Sequence, residues 1–223
     1  MNRRTWVRML ALAAVVLAAP LGMKAALATD AAAAAQLGPY ELINKVAQQT
    51  LQDLNAHRGE YQKDPAKVRQ LVDKNMLPYF DTTYAAQLVL AKHWRTATPE
   101  QRKRFVEAFY QSMLQNYGSA LLEFTPDRLK ILPYQGKPED QVATVRSEVR
   151  RDNGTPVSVN YSLRKTEQGW KAYDVQIEGV SYVKSFRTDF GSEIQQKGLE
   201  AVIQRLEVQV ATGTVPKPTA TAT

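Results

Sequence analysis

Residues 170–206, WKAYDVQIEGVSYVKSFRTDFGSEIQQKGLEAVIQRL, change hydrophobic period in mid-run, and this constrains the fold more than any other feature of the chain. Tyr173, Val175 and Ile177 alternate with Ala172, Asp174 and Gln176. A period of two sends alternate side chains to opposite faces of a strand. Gly179 marks a turn, and Phe186, Phe190 and Ile194 then recur every four residues, the spacing of one helix face. A half-buried strand that leads at once into an amphipathic helix has two apolar surfaces to cover. The run therefore predicts an α+β fold with helices packed on a sheet.

The N-terminal half reads as helices. The first starts near Pro39, keeps Leu42, Ile43, Val46, Thr50, Leu51 and Leu54 in one stripe, and has a stop signal at Gly59. Asn44, Lys45 and Gln48 fall on its polar side and read as ordinary surface. Asp64 followed by Pro65 opens a second helix, which buries Val68, Leu71, Val72 and Met76 and ends before Pro78. A third covers Asp81 to His93, with Tyr84, Ala85, Leu88 and Val89 on one side. Thr98-Pro99-Glu100-Gln101 is a capping box with Pro at the first helical position. It opens a fourth helix that aligns Phe105, Phe109, Met113 and Tyr117, with Val106 and Leu121 beside them.

After Pro126 the pattern turns to strands. Arg128–Pro133 is short and apolar, and 142–151 and 155–165 flank Asp152-Asn153-Gly154, a hairpin signal because Asn and Gly tolerate positive φ. Val157, Val159, Tyr161 and Leu163 face one way; Ser158, Asn160, Ser162 and Arg164 face the other. A turn at Glu167-Gln168-Gly169 leads into the strand 170–178, and a closing helix follows from about Ser185. The sum is a meander of about four antiparallel strands with one apolar and one wet face.

The chain ends read differently from its body. Arg3, Arg4 and Arg8 precede a short apolar run, Met9 to Leu21, and the small-residue signal Ala26-Leu27-Ala28. This is the pattern of a secretory signal peptide over 1–28, too short to span a membrane. The arginine pair has twin-arginine flavour, but two basic residues before an ordinary export signal are the better reading. No Cys follows for lipid anchoring. Residues 29–36 are expected to be an unstructured leader, 37–210 a single domain, and 211–223 (ATGTVPKPTATAT) a disordered tail. Removing the four basic residues of 1–28 from the total of 29 leaves 25 against 22 acidic ones, a net charge of +3. That balance argues against nucleic acid and is compatible with transient contact at a membrane surface.

Enzymatic signatures are missing from the sequence. It has no Gly-rich phosphate loop, nucleophile-elbow serine or cysteine. His57 and His93, the only histidines, have no ligand spacing, so no metal is expected. Asp81 and His93 could form an acid–base dyad, but Asp81 reads better as a helix cap and His93 as an exposed residue near a helix C-terminus. The basic groups Lys92-His93-Arg95, Arg102-Lys103-Arg104, Arg146-Arg150-Arg151 and Arg164-Lys165 read as solvated faces, or one of them as a phosphate-contacting rim.

The run AYDVQIEGVSYVKSFRTDFGSEIQQKGLEAVI, together with Leu77-Pro78-Tyr79-Phe80, Ala86-Gln87-Leu88-Val89-Leu90 and Ala97-Thr98-Pro99-Glu100-Gln101-Arg102, resembles the MlaC family of periplasmic phospholipid carriers, also called toluene-tolerance proteins. The matching segments extend from about Tyr40 to Leu206. The resemblance implies an NTF2-like arrangement in which a curved sheet and helices enclose an apolar cavity. It implies a monomeric, non-enzymatic periplasmic carrier whose cargo is phospholipid and which needs no cofactor. It further implies shuttling between an outer-membrane lipoprotein–porin complex and an inner-membrane ABC transporter complex, which maintains outer-membrane lipid asymmetry. Apolar stripes are ordinarily packed core; the resemblance makes cavity wall of Tyr84, Leu88, Phe105, Phe109, Met113, Tyr117, Val157, Val159, Tyr161, Leu163, Val175, Ile177 and Val180. Exposing the roughly 30 methylenes of a phospholipid costs about 0.8 kcal/mol each, more than 20 kcal/mol together, so a soluble carrier must cover the tails. A small enzyme on an NTF2-like scaffold and a protein-binding adaptor are the competing readings.

Overall fold

The computed structural model describes residues 37–213 apart from Pro138 and Asp152, and without the side chains of Pro65, Tyr117, Ser119, Ala120 and Glu123. The expectations for 1–36 and 214–223 lie outside the described residues. Helix α1, Pro39–Lys63, runs on past the expected stop at Gly59 and bends where His57 leaves helical geometry (φ −124°, ψ 20°). Asp64 caps α2, Pro65–Asn75, by accepting from the Ala66 amide at 3.0 Å. The expected single helix from Asp81 to His93 is two: α3, Thr82–Leu90, and a short α4, Lys92–Thr96, parted at Ala91 with φ 48°. A non-glycine residue at positive φ interrupts the helical ladder, and no sequence signal marks Ala91 for it. The capping box forms as expected: Thr98 Oγ1 accepts from the Gln101 amide and Gln101 Oε1 accepts from the Thr98 amide, opening α5, Pro99–Tyr117. A 3-10 turn over Gly118–Glu123 carries Leu121 out of that helix.

Among the described residues the sheet has five antiparallel strands in sequential order and is not closed. They are β1, Leu129–Ile131; β2, Val142–Arg150; β3, Pro156–Thr166; β4, Gly169–Ile177; and β5, Val180–Ser181. The fifth is only two residues long and arises because Glu178 (φ 51°) and Gly179 (φ 81°) form a two-residue turn that folds the chain back on Ile177. Two helices close the domain, not one: α6, Tyr182–Lys197, and α7, Leu199–Thr212, parted at Gly198 (φ 83°). Helix α7 includes Ala211 and Thr212, so the domain extends past residue 210.

The alternation read across β4 is broken. A bulge opposite Ser162 and Leu163 aligns Asp174 with Ser162 but Ala172 with Leu163. One extra residue in one strand reverses the phase of everything before it. Trp170 and Ala172 therefore pack with Leu163, Ala143 and Val145, while Tyr173 meets Tyr84 of α3.

Three apolar clusters form the interior. Leu42 and Ile43 of α1 cover the sheet at Ala143, Val145, Leu163 and Trp170. Leu51, Leu54 and Tyr61 of the same helix pack on Val68 and Leu71 of α2, with Leu121, Leu122, Phe124 and Leu129 against them. Phe105, Phe109, Phe190, Ile194, Val202 and Leu206 join α5, α6 and α7. Arg104 ties α5 to α7 through Glu200 and Glu207, each at 2.7 Å, and Arg205 forks onto Glu193 at 2.8 and 2.6 Å.

Candidate functional site

The apolar sheet face is continuous across three strands. Val149 opposes Val157, Ser147 opposes Val159 and Ile177 lies beyond it, and Val145, Tyr161 and Val175 form the next row. Val157, Val159 and Leu163 are buried; Tyr161, Val175 and Ile177 are half-buried. Ser147 interrupts the face with a hydroxyl, which donates to the Val159 carbonyl at 2.8 Å and so adds no unpaired polar group. Burial pushes the Tyr161 phenol above its ordinary pKa, with a Ser147 hydrogen bond acting in the opposite direction. Val180 departs from this set: on the two-residue β5 it is 58% exposed.

The helical candidates do not share that wall. Phe105 is fully buried, stacked on Phe109 at 5.6 Å and edge-on to Phe190 at 5.7 Å, while Phe109 meets Phe186 edge-on at 5.3 Å. Met113 is half-buried against the same aromatic group, and Leu88 is half-buried on α3. Tyr117 has no described side chain. Tyr84 belongs to the sheet's other side. Its ring stands 5.1 Å from Tyr173 and 4.2 Å beneath the Arg164 guanidinium, and Arg164 shares its strand face with Ser158 and Asn160.

The acid–base pair does not form. Asp81 accepts from the Tyr84 amide at 3.0 Å as the cap of α3, and its other oxygen takes Arg164 at 2.9 Å. His93 is half-buried rather than exposed, and its Nε2 is buried without a hydrogen-bond partner among the described residues. The buried carboxylate of Asp174 is likewise structural. It accepts from the Ser181 hydroxyl at 2.6 Å and the Val183 amide at 3.0 Å, fixing the start of α6. No metal-binding cluster occurs among the described residues, and none of their helices is long and apolar enough to cross a membrane.

The sequence reading missed a groove of about 640 Å³ between α1 and the edge strand β1. Asn44 and Gln48, read as ordinary surface, line it together with Gln52 and Asn55. Leu51, Leu129 and Ile131 supply its apolar surface, and Ala47, Ala56 and Pro126 complete it. The four-residue spacing of Asn44, Gln48 and Gln52 was the available signal, because it aligns three carboxamides on one helix face.

Comparison with known proteins agrees with this fold. The intermembrane phospholipid transport system binding protein MlaC of Haemophilus influenzae is 25% identical over 178 residues, covering 78% of this chain and 83% of that protein. The toluene tolerance protein of Pseudomonas putida is 30% identical over 161 residues, covering 72% of this chain and 74% of its own. A phospholipid-binding protein from Ralstonia solanacearum, solved in complex with a phospholipid at 1.53 Å resolution, superposes with a TM-score of 0.71 and 26% identity, over 77% of this chain and 96% of that one. The MlaC protein family profile matches residues 44–208, and this chain belongs to that family.

Proposed function

We infer that this protein is a periplasmic carrier that holds diacyl phospholipid by its tails. It does no chemistry on the lipid, and it passes lipid between an outer-membrane lipoprotein–porin complex and an inner-membrane ABC transporter complex, which maintains outer-membrane asymmetry. The supporting observation is the apolar face of β2, β3 and β4, where Tyr161, Val175 and Ile177 remain half-covered beside the buried Val157 and Val159. Such a face offers acyl chains an environment close to that of a bilayer, while a head group left in water incurs no charge-burial cost. Phe105, fully buried among the aromatic rings of α5 and α6, is helix core on this reading and does not touch the tails. Membership of the MlaC family and the likeness to a phospholipid-bound structure favour the same reading. Residues 1–28 act as the export signal, and the secreted chain starts at Thr29.

Mass spectrometry of organic extracts from the gently purified native protein tests this. Diacyl phospholipid at about one or two molecules per chain is the expected result, since any cargo the protein holds must have its tails covered. Protein that is lipid-free and takes up none from liposomes would overturn the reading. Intact mass of the periplasmic form checks cleavage after Ala28.

A further inference from the structure

Helix α3 ends in a conformation that its own sequence does not favour. Leu90, Ala91 and Lys92 are good helix formers, and the sequence predicts one helix through His93. Yet Ala91 sits at φ 48°, ψ −114°, the geometry of the first central residue of a type II′ turn, where glycine dominates. A residue with a Cβ is strained there. The Trp94 amide donates to the Ala91 carbonyl at 3.2 Å, where a continuous helix would use the Leu90 carbonyl. The broken form carries a second cost. The buried Nε2 of His93, two residues on, has no hydrogen-bond partner among the described residues.

One side chain of α5 holds this form in place. Arg102 donates through Nε to the Trp94 carbonyl at 2.9 Å and through Nη2 to the Arg95 carbonyl at 3.3 Å, and its guanidinium lies 5.3 Å from the Trp94 ring. Trp94 in turn packs on the cluster of Phe105, Phe109 and Phe190. Strain on one side and a clamp on the other are the makings of an element with two arrangements. At its other end α3 is fixed to β4. The Asp81 amide donates to the Ala172 carbonyl at 2.7 Å, and the Tyr84 ring meets Tyr173 edge-on at 5.1 Å. The same strand carries Val175 and Ile177 of the apolar wall. Helices α3 and α4 therefore brace the wall strand against the aromatic cluster, and the break at Ala91 sets the shape of the brace.

We propose that Ala91 is a strained hinge between two states of this fold. In the broken form Arg102 keeps Trp94 on the aromatic cluster and the interior is braced. In the other form 82–96 is one continuous helix, Trp94 leaves the cluster, and the loosened interior exchanges lipid. The hinge stands on the geometry alone; its part in lipid exchange rests on the carrier reading.

The chain has no cysteine, so a pair can be placed at will. Spin labels are attached at Thr83→Cys and Arg95→Cys, both on exposed side chains, and their separation is read by double electron–electron resonance. A straight helix puts the two Cα atoms about 18 Å apart, and the broken form gives a separate population. Ala91→Gly relieves the strain and weakens the helix, so the straight population should fall by about tenfold or more. Ala91→Val, worse at positive φ, should raise it. Arg102→Lys keeps the charge but loses the fork onto two carbonyls, and should raise it too. Transfer of lipid from each protein, folded by circular dichroism, to phosphatidylethanolamine–phosphatidylglycerol vesicles should follow the same order, slowest for Ala91→Gly. A single distance population unchanged across all four proteins would overturn the hinge and leave the carrier reading standing. Populations that shift while transfer rates stay equal would overturn its role in exchange. Native protein without lipid would overturn the carrier reading and that role together, and the distances would still decide the hinge.

Discussion

A carboxylate at Val159 discriminates between a tail-contacting wall and an ordinary packed core. Val159 is 6% exposed, in register between Ser147 and Ile177, so Val159→Glu brings no cation within its row. A glutamate titrates near 4.3 in the unfolded chain and, buried without a partner, near 7 or above. With those values the folded state is penalised by about 3 kcal/mol at pH 7 and by about 1 kcal/mol at pH 5. The sign follows from the raised folded value: the penalty is absent below the unfolded pKa and grows as pH rises towards the folded one. For a domain of this size about 3 kcal/mol lowers Tm by roughly 6–12 °C at pH 7, with partial recovery at pH 5. Thermal unfolding followed by circular dichroism at both pH values reads this, and mass spectrometry reads lipid content. If acyl chains contact this face, the variant is folded at pH 7 but empty. The control is Ser158→Lys on the wet face, directly opposite Glu148, expected within about 0.5 kcal/mol of native. Ser158→Glu serves less well because it would set two carboxylates across from each other. A Val159→Glu protein with native stability at pH 7 and a full complement of lipid would refute the reasoning, and one that is unfolded at both pH values would point to solid core.

Asp174→Ala removes the acceptor for the Ser181 hydroxyl and the Val183 amide and should cost about 3 kcal/mol in urea unfolding, against about 0.5 kcal/mol or less for Asp189→Ala, exposed on the helix that Asp174 anchors. Asp81→Ala loses a helix cap and the Arg164 pair, for about 1–2 kcal/mol, yet should retain its lipid; loss of lipid from folded protein would give Asp81 a functional role. Arg205 beside Glu193 holds that carboxyl below the usual range, so its contribution is complete above the unfolded pKa and is lost as pH falls through the folded value. Glu193→Gln should therefore flatten the decline of unfolding midpoints between about pH 5 and pH 3. Burial, reinforced by the Asp53 hydrogen bond, pushes the Tyr61 phenol up to about 12, and Tyr61→Phe should delete the absorbance step near that pH in a spectrophotometric titration.

Where both partners of an interaction lie within a turn or two of chain, sequence was sufficient. The caps at Asp64, Asp81 and Thr98, the Asn153-Gly154 turn, the apolar stripe of β3 and the Phe186–Phe190–Ile194 face were all readable. So was the α+β class, because a period of two followed by a period near four admits few other arrangements. The wording of 172–203 also carried the family resemblance.

Tertiary structure decided everything that depends on distant pairing. The bulge in β4 comes from its alignment with β3 and the bridge from Phe80 to Ala172, and it moved Tyr173 to the face opposite Val175. The break at Ala91 carries no glycine or proline to announce it. The groove exists because α1 crosses the sheet with Leu42 and Ile43 inward, leaving its carboxamides beside an edge strand some eighty residues later. Local preference selects a helix or a strand at little cost, but which of its faces meets which neighbour is settled by burying the most apolar area over the whole chain. That balance separated the thirteen residues read as one cavity wall into a sheet face, a packed aromatic cluster and Tyr84 on the wet side beside Tyr173 and Arg164, with Leu88 half-buried on α3, Val180 exposed and Tyr117 outside the described side chains.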